Sequence, residues 1–414
     1  MRLPLGPLQS RNFRLLLACN VISVTGTAVA LVAIPFAVLA IGGTASDVGY
    51  VAAAVLVPGV IFMLLGGVVA DRLPRHQVMT AANAAQALAQ ATSAVLVLTG
   101  HAHVWELVAL AAARGIGWGF YFPASAGLLP QTVPPDQRAQ ANSLARIGLN
   151  GAQIAGAALG GALVGLTGPG WGLAADAASF AIAAALRAGM HFPALPPTAA
   201  TSMLHELQEG WRDFISRRWL WTIVLGTGFF VAAYTATTSV LGPVVASAHL
   251  GGARSWGIIL AAYATGAVLG GAITLRFRPQ RMLLAAILPI PVYSILLFAL
   301  AVPLTVPLIA AAALIAGTCL EVLEVNWATT VQQEIPPTML SRISSYELLG
   351  TLAAGTAGAA VAGPLTNTFG APAVLITAGT LTALLPAAIL PIPEVRHIRR
   401  HTDPHPDQPD TPTP

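Results

Sequence analysis

Twelve apolar runs follow one another along the chain, separated by short polar breaks. They cover approximately residues 14–40, 47–70, 77–99, 104–129, 140–166, 171–191, 219–248, 253–276, 281–302, 305–332, 340–368 and 372–392. A helix needs about 20 mostly apolar residues to cross the hydrocarbon core of a bilayer, and each run provides them. None alternates with the period of two that a membrane strand requires, so backbone polar groups have to be satisfied inside helices. The pattern predicts an all-α membrane protein with twelve transmembrane helices. Most breaks are only a few residues long, such as GHAH and TGPGW.

One break is longer. It opens with the Pro-rich stretch HFPALPPTAATS and continues MLHELQEGWRDFISRR. Leu204, Leu207, Trp211 and Phe214 recur at helical spacing, with His205, Glu206, Glu209, Arg212 and Asp213 on the other faces. This predicts an amphipathic helix, lying on the inner leaflet or packed on the bundle. The expected organisation is an N-terminal six-helix half (1–191), a cytoplasmic linker (192–218), a C-terminal six-helix half (219–393) and a Pro- and Asp-rich disordered tail (394–414).

Composition supports the membrane reading. The chain has 414 residues, of which 56% are hydrophobic and 9% charged, against about 25% charged in soluble domains. All 20 basic residues are arginines. With both termini placed in the cytoplasm, every arginine except Arg114 and Arg254 falls on or near the inner face, as the positive-inside rule requires. The first apolar run is too long for a cleavable leader and lacks a small-residue cleavage site. Scattered over short loops, the arginines form no nucleic-acid footprint. Cys19 and Cys319 lie within apolar runs and have neither disulfide nor metal spacing.

The chain also repeats itself. A shift of 202 residues brings Gln131, Pro134, Pro135 and Ser143 onto Gln333, Pro336, Pro337 and Ser345. The same shift brings Gly148, Gly156, Gly161 and Gly168 onto Gly350, Gly358, Gly363 and Gly370. Two parallel six-helix repeats follow, the arrangement of transporters that rock two halves about a midplane site.

The loop after span 2 reads GGVVADRLPRHQ. In Gly67, Asp71, Arg72 and Arg75 it matches the G-x-x-x-D-R-x-G-R-[KR] signature of the major facilitator superfamily, with Pro74 in place of Gly and His76 in place of a base. The chain resembles that superfamily over nearly its whole length. The resemblance implies a cytoplasmic gate at Asp71, facing the N-terminal end of span 11 near Ser341. In span 4, Arg114, Gly115 and Gly117 fit the family's Arg–Gly pattern. In span 5, GAQIAGAALGGAL is similar to the antiporter motif of drug–proton exporters: Gly151, Gly156, Gly160 and Gly161 match, and Ala157 replaces the usual Pro. Such glycines let helices approach closely. The blocks LLPQTVPPDQRAQANSL, DAASF and LHELQEGWRDF resemble the enterobactin-exporter and macrolide-efflux branch. The acidic residue that branch often carries in span 1 is absent at Gly26–Thr27.

A charge at the bilayer centre costs about 2.5–3.5 kcal/mol on insertion scales, so it must face the bundle interior or water. Glu321 and Glu324 are three apart on span 10 and share a helical face with Trp327. The resemblance places spans 1, 4, 7 and 10 around a central cavity, and therefore sets the two glutamates across from Arg114. Two such carboxylates suit proton carriage, or alternatively a structural pair with Arg114. Asn20, Asn83, Gln86, Gln90, Asn150, Gln153, Tyr234, Tyr263 and Asn326 are polar groups within spans, some of which should reach the cavity. Asp176 and Glu347 are expected to pair at span ends, and Glu106 to be hydrated.

No P-loop, nucleophile elbow or metal-ligand spacing is present, so neither an enzyme, a cofactor nor direct use of ATP is expected. The expected function is a monomeric, multi-pass cell-membrane exporter that exchanges protons for small amphipathic molecules, a drug, an antibiotic or a siderophore. The acidic pair favours neutral or cationic cargo. The alternatives are a proton-coupled uptake symporter of the same fold and a non-transporting membrane sensor or enzyme.

Overall fold

The computed structural model describes residues 6–190 and 212–400, apart from residues 127, 213, 214, 278, 303 and 336 and a few side chains around residues 64–72 and 337–345. Twelve long helices account for nearly all of it: α1 (Arg11–Ala40), α2 (Ala45–Arg72), α3 (Arg75–Leu98), α4 (Val104–Ala126), α5 (Arg138–Thr167), α6 (Pro169–Ala188), α7 (Trp219–His249), α8 (Ala253–Arg276), α9 (Met282–Ala301), α10 (Val306–Glu334), α11 (Pro337–Phe369) and α12 (Ala371–Ile389). Among the described residues, 11 helices are long and apolar enough to cross a membrane. The other is α4, which carries Glu106 and Arg114. Large apolar side chains point outward on many helices (Leu88 71% exposed, Leu166 81%, Leu275 78%). Hydrocarbon is the solvent that makes such a surface favourable.

Local signals start the helices where the polar breaks fall. Ser10 caps α1 by accepting from the Phe13 N–H. Thr44 and Asp47 form a reciprocal capping box on α2, satisfying two donors that would otherwise be orphaned. Gly168 and Gly370 turn α5 into α6 and α11 into α12 with φ of +92° and +83°, which a side chain would strain. These two glycines are repeat partners. So are the irregular points of α1 and α7: Pro35 interrupts the α1 ladder, and residues Thr237–Leu241 of α7 form a π turn. Different chemistry disturbs the backbone hydrogen-bond ladder at the same place in each half.

The packing repeats in the same way. Helix α1 packs on α5 and α6, as α7 packs on α11 and α12; α2 pairs with α4 as α8 pairs with α10; α3 meets α4 and α6 as α9 meets α10 and α12. The two most extensive contacts between the halves are α5 with α8 and α2 with α11, and they exchange under the same two-fold relation. The closest of these lie at the end bearing the α5–α6 and α11–α12 turns. A Cβ on Gly161 would stand 2.7 Å from the Gly257 Cα, and one on Gly363 2.3 Å from the Ala45 carbonyl oxygen. The Asn367 amide donates to Ser46 Oγ beside them (2.8 Å).

Two expectations change. Span 9 is not continuous, because Pro289 breaks it between Met282–Ile287 and Ile290–Ala301. The expected tail from 394 begins instead with the short helix α13 (Pro393–His397), opened by a proline, with Glu394 in its first turn and Arg396 and His397 in its last. Beyond it, Arg400 N–H donates to the Gln280 carbonyl and the Gln333 amide to the Arg399 carbonyl (both 2.8 Å); residues 401–414 lie outside the described residues. So does the amphipathic stretch from Leu204 to Trp211.

Candidate functional site: a central cavity and a carboxylate cavity

A cavity of about 510 Å³ lies between the halves, walled by α1, α2, α3, α4 and α5 on one side and by α7 and α8 on the other. This volume suits a drug-sized ligand. Pro35 and the residues around the π turn (Tyr234, Thr235, Thr238, Ser239) lie in its wall, so the paired helix irregularities sit at the cavity. Most of the lining is apolar or aromatic. Its polar side chains include Asn83, Gln86, Gln153, Tyr121 and Arg114. Tyr234 and Tyr263 face each other across α7 and α8 with ring centroids 5.7 Å apart.

Arg114 is the charged group in this wall. Its Nη2 lies 3.6 Å from Asp176 Oδ2, and its guanidinium stands over the Phe180 ring at 5.9 Å. The Gln90 amide donates to the same Asp176 oxygen at 2.7 Å. Asp176 is wholly buried. Its Oδ1 and the Arg114 Nε have no hydrogen-bond partner. Asn83, Gln86 and Gln90 are all buried on α3, and Gln90 is the one that meets this pair.

The structure therefore corrects the expected pairing. Arg114 belongs with Asp176 in its own half and is not opposite Glu321 and Glu324. Neither glutamate lines the central cavity. Glu321 is half-buried and packs on α8, where a Cβ on Gly270 would come within 2.9 Å of the Glu321 Cβ. The cation that acts on it is Arg146 of α5, from the other half. Glu324 opens into a second cavity of about 380 Å³ bounded by α7, α9, α10 and α11. Glu347, Trp327, Thr227, Ser344 and Thr351 share that space with it. Trp327 donates its indole N–H to Glu347, and its ring meets Trp219 edge-on at 6.0 Å. Placing Glu347 as a pairing residue at a span end missed this role, since nothing in a single sequence shows that α11 turns Glu347 toward α10.

The other candidates divide. Gln153, Tyr234 and Tyr263 line the central cavity; Asn150, Asn326 and Trp327 do not. Asn326 is buried and donates to the Val322 carbonyl of its own helix (2.8 Å). Asn20 accepts from Tyr121 (3.1 Å) and from Arg187 (2.9 Å) behind the cavity wall. Arg187 had been placed only near a membrane face, yet it is wholly buried. Of the antiporter-like glycines, Gly156 and Gly160 bring α5 onto Thr25 and Val29 of α1, and Gly161 brings it onto α8. Gly151 has open space around it and packs nothing. Arg75 opens α3; the surroundings of Gly67 and the side chains of Asp71, Arg72 and Ser341 lie outside the described residues. Among the described residues, no group of His, Cys, Asp or Glu could hold a metal ion.

Comparison with known proteins agrees with this architecture. A family model described as "Transmembrane secretion effector", of the MFS class, matches residues 3–410. An uncharacterized MFS-type transporter, y4rN, from Sinorhizobium fredii is 26% identical over 389 residues, covering 92% of this chain and 94% of that protein. Among solved structures, the nucleoside transporter NupG superposes with a TM-score of 0.74 at 14% identity, covering 92% of this chain and 98% of that one. A bacterial homolog of the human lysosomal transporter Spinster, in an inward-facing and unoccupied conformation, gives 0.71 at 16% identity, covering 93% and 98%. At these identities the two structures speak for the fold alone. A family match across nearly the whole chain, on a two-fold helical bundle with a cavity at its centre, makes this protein a multi-pass membrane transporter of the major facilitator superfamily, in its transmembrane secretion effector family.

Proposed function

We propose that the chain is a secondary active exporter of small amphipathic organic molecules, driven by proton antiport with alternating access. The observation that carries this reading is the division of labour between two cavities. One is central, largely apolar and walled by both halves; the other lies within the C-terminal half and holds two carboxylates, Glu324 and Glu347, with no cation among its described lining. Cargo occupies the first, and protons load and leave at the second. Carboxylates that share a confined space exchange protons as a pair. The close glycine contacts between the halves support reading that end of the cavity as closed, and rocking of the halves would exchange that closure for closure at the gate expected around Asp71. The family's description as a secretion effector supports export. The cell membrane is the expected location, with both termini and the linker cytoplasmic, and the closed end then faces outward.

Efflux of a compound panel from cells with and without the protein tests direction and cargo. Reconstituted vesicles given an imposed pH step test coupling. Failure of every compound to move against its gradient would remove the exporter reading. Ala248 lies exposed beside the α7–α8 connection, so Ala248→Cys in a chain lacking Cys19 and Cys319 should react with an impermeant reagent from outside intact cells. Labelling only after lysis would invert the topology.

A further inference from the structure

Arg187 sits in the last turn of α6 and is completely buried. Among the described residues no carboxylate pairs with it, and Asp176 is taken by Arg114. Its Nη2 donates to Asn20 Oδ1 of α1 (2.9 Å) and to the Tyr121 hydroxyl of α4 (3.4 Å). The guanidinium lies 5.3 Å from the Tyr121 ring centroid. Its Nε and Nη1 donate to nothing. A buried charge is normally paired, because an uncompensated one forfeits its hydration with no return. The idle Nη1 stands beside Nη2, so an oxyanion that took the place of the Tyr121 hydroxyl on Nη2 would be held end-on by both nitrogens.

Its position ties it to the central cavity. Tyr121, which covers Arg187, lines the cavity. So does Ser23, whose hydroxyl donates to the Asn20 carbonyl one turn away on α1. Behind this wall the buried guanidinium of Arg187 adds to that of Arg114, and the two stand against the single carboxylate of Asp176. The balance is positive whichever protonation state Asp176 holds. The carboxylates Glu321, Glu324 and Glu347 line no part of this cavity, so the expected preference for cationic cargo loses its basis. The opposite wall carries the Tyr234–Tyr263 pair, a surface suited to an aromatic ring.

We infer that the cargo is an amphipathic aromatic anion, its ring held against Tyr234 and Tyr263 and its oxyanion captured by Arg187 when Tyr121 swings aside. This rests on the reading of the central cavity as the cargo site and specifies the class of molecule it takes.

The test uses the whole chain in lipid nanodiscs at pH 7 and three matched probes: 2-naphthoate, 2-naphthamide and 2-naphthylmethylammonium. Naphthoate should bind at least about tenfold more tightly than either of the others, the range expected of a charge-assisted hydrogen bond. Arg187→Gln should erase that preference. Asn20→Asp is the second variant: it supplies the missing carboxylate beside Arg187, so it should keep or raise thermal stability while abolishing the naphthoate preference. A purely structural Arg187 predicts that Asn20→Asp leaves probe selectivity untouched. Equal binding of the three probes, tighter binding of the ammonium, no binding of naphthoate, or a preference that survives both variants would each overturn the assignment. Displacement experiments with chloride and inorganic phosphate separate a free-anion site from a cargo site. If either protects the protein as well as naphthoate does, and naphthoate binds no better than naphthamide, the cargo assignment falls. In vesicles, pH-driven movement of the ammonium probe but not of naphthoate would overturn the anion assignment and leave the exporter reading standing.

Discussion

The two halves of this transporter repeat each other's backbone and differ in their interior charge. In the N-terminal half, Arg114, Asp176 and Arg187 are nearly or wholly sealed by packing. In the C-terminal half, Glu321 is half-buried against α8, and Glu324 and Glu347 open into a cavity. One interior holds its charges nearly sealed and carries an excess of guanidinium; the other opens two carboxylates into a cavity of its own. What the repeat preserves is geometry: the glycine turns at Gly168 and Gly370, the interrupted helices at Pro35 and Thr237, and the order of packing. What it leaves free is the chemistry placed on that geometry, which differs between the halves.

The contrast is sharpest where a sealed charge loses its partner. Asp176→Ala should destabilise the protein by roughly 3–5 kcal/mol, because Arg114 would remain buried without a counter-charge. Glu324→Ala should cost far less, since its carboxylate already faces open space. Thermal unfolding in one detergent measures both, and equal losses would end the distinction between a sealed and an open interior.

Next in size is the seam between the halves. Gly257→Val puts a branched side chain where even a Cβ would stand 2.5 Å from the Gly161 Cα. Overpacking of this kind costs about 1–3 kcal/mol. Here the cost falls on the conformation in which that end is closed, so the population should move away from it. Cross-linking of Ser46→Cys with Asn367→Cys, neighbours in the closed form, should fall accordingly.

Glu324→Gln and Glu347→Gln should change stability by less than about 1 kcal/mol and remove transport driven by a pH step, with downhill exchange retained. Glutamine keeps the shape of the side chain and cannot carry the proton. A double variant that still concentrates cargo would show that these carboxylates are not the coupling groups. If Arg114→Gln alone uncoupled transport, the proton site would lie in the N-terminal half.

The smallest expected effect is at Gly151. Exposed, helical and free of neighbours, it should tolerate Ala with a gain of up to roughly 0.5–1 kcal/mol from helix propensity. Gly161→Ala, ten residues further along the same helix, should be harmful because α8 is in the way. A harmful Gly151→Ala would mean that this glycine does meet another helix in a second conformation.

The helices, their number, their mutual orientation and the repeat were legible in the sequence because they depend on local quantities. An apolar run of sufficient length must be a helix in hydrocarbon, a Gly before a Pro turns the chain, and like residues at a constant shift report like folds. The gate signature and the α5 glycines were legible as motifs, although at Gly151 the motif outran the contact. The pairing of charges was not legible. Asp176 and Arg114 are far apart in sequence and meet only because α4 and α6 both pack against α3. Glu321 and Glu324 share a helical face by their spacing, yet a small difference in angle around α10 sends one toward Arg146 and the other into a separate cavity with Glu347. Arg187 looked like one more arginine at a membrane face until α1 and α4 closed over it. Sequence by itself determined what each segment must be in a bilayer, because that is settled by length, polarity and turn chemistry along one stretch of chain. Which charge answers which, and which cavity each one faces, was decided only by tertiary packing, because electrostatic partnership depends on distances of a few ångströms between helices that no local pattern encodes.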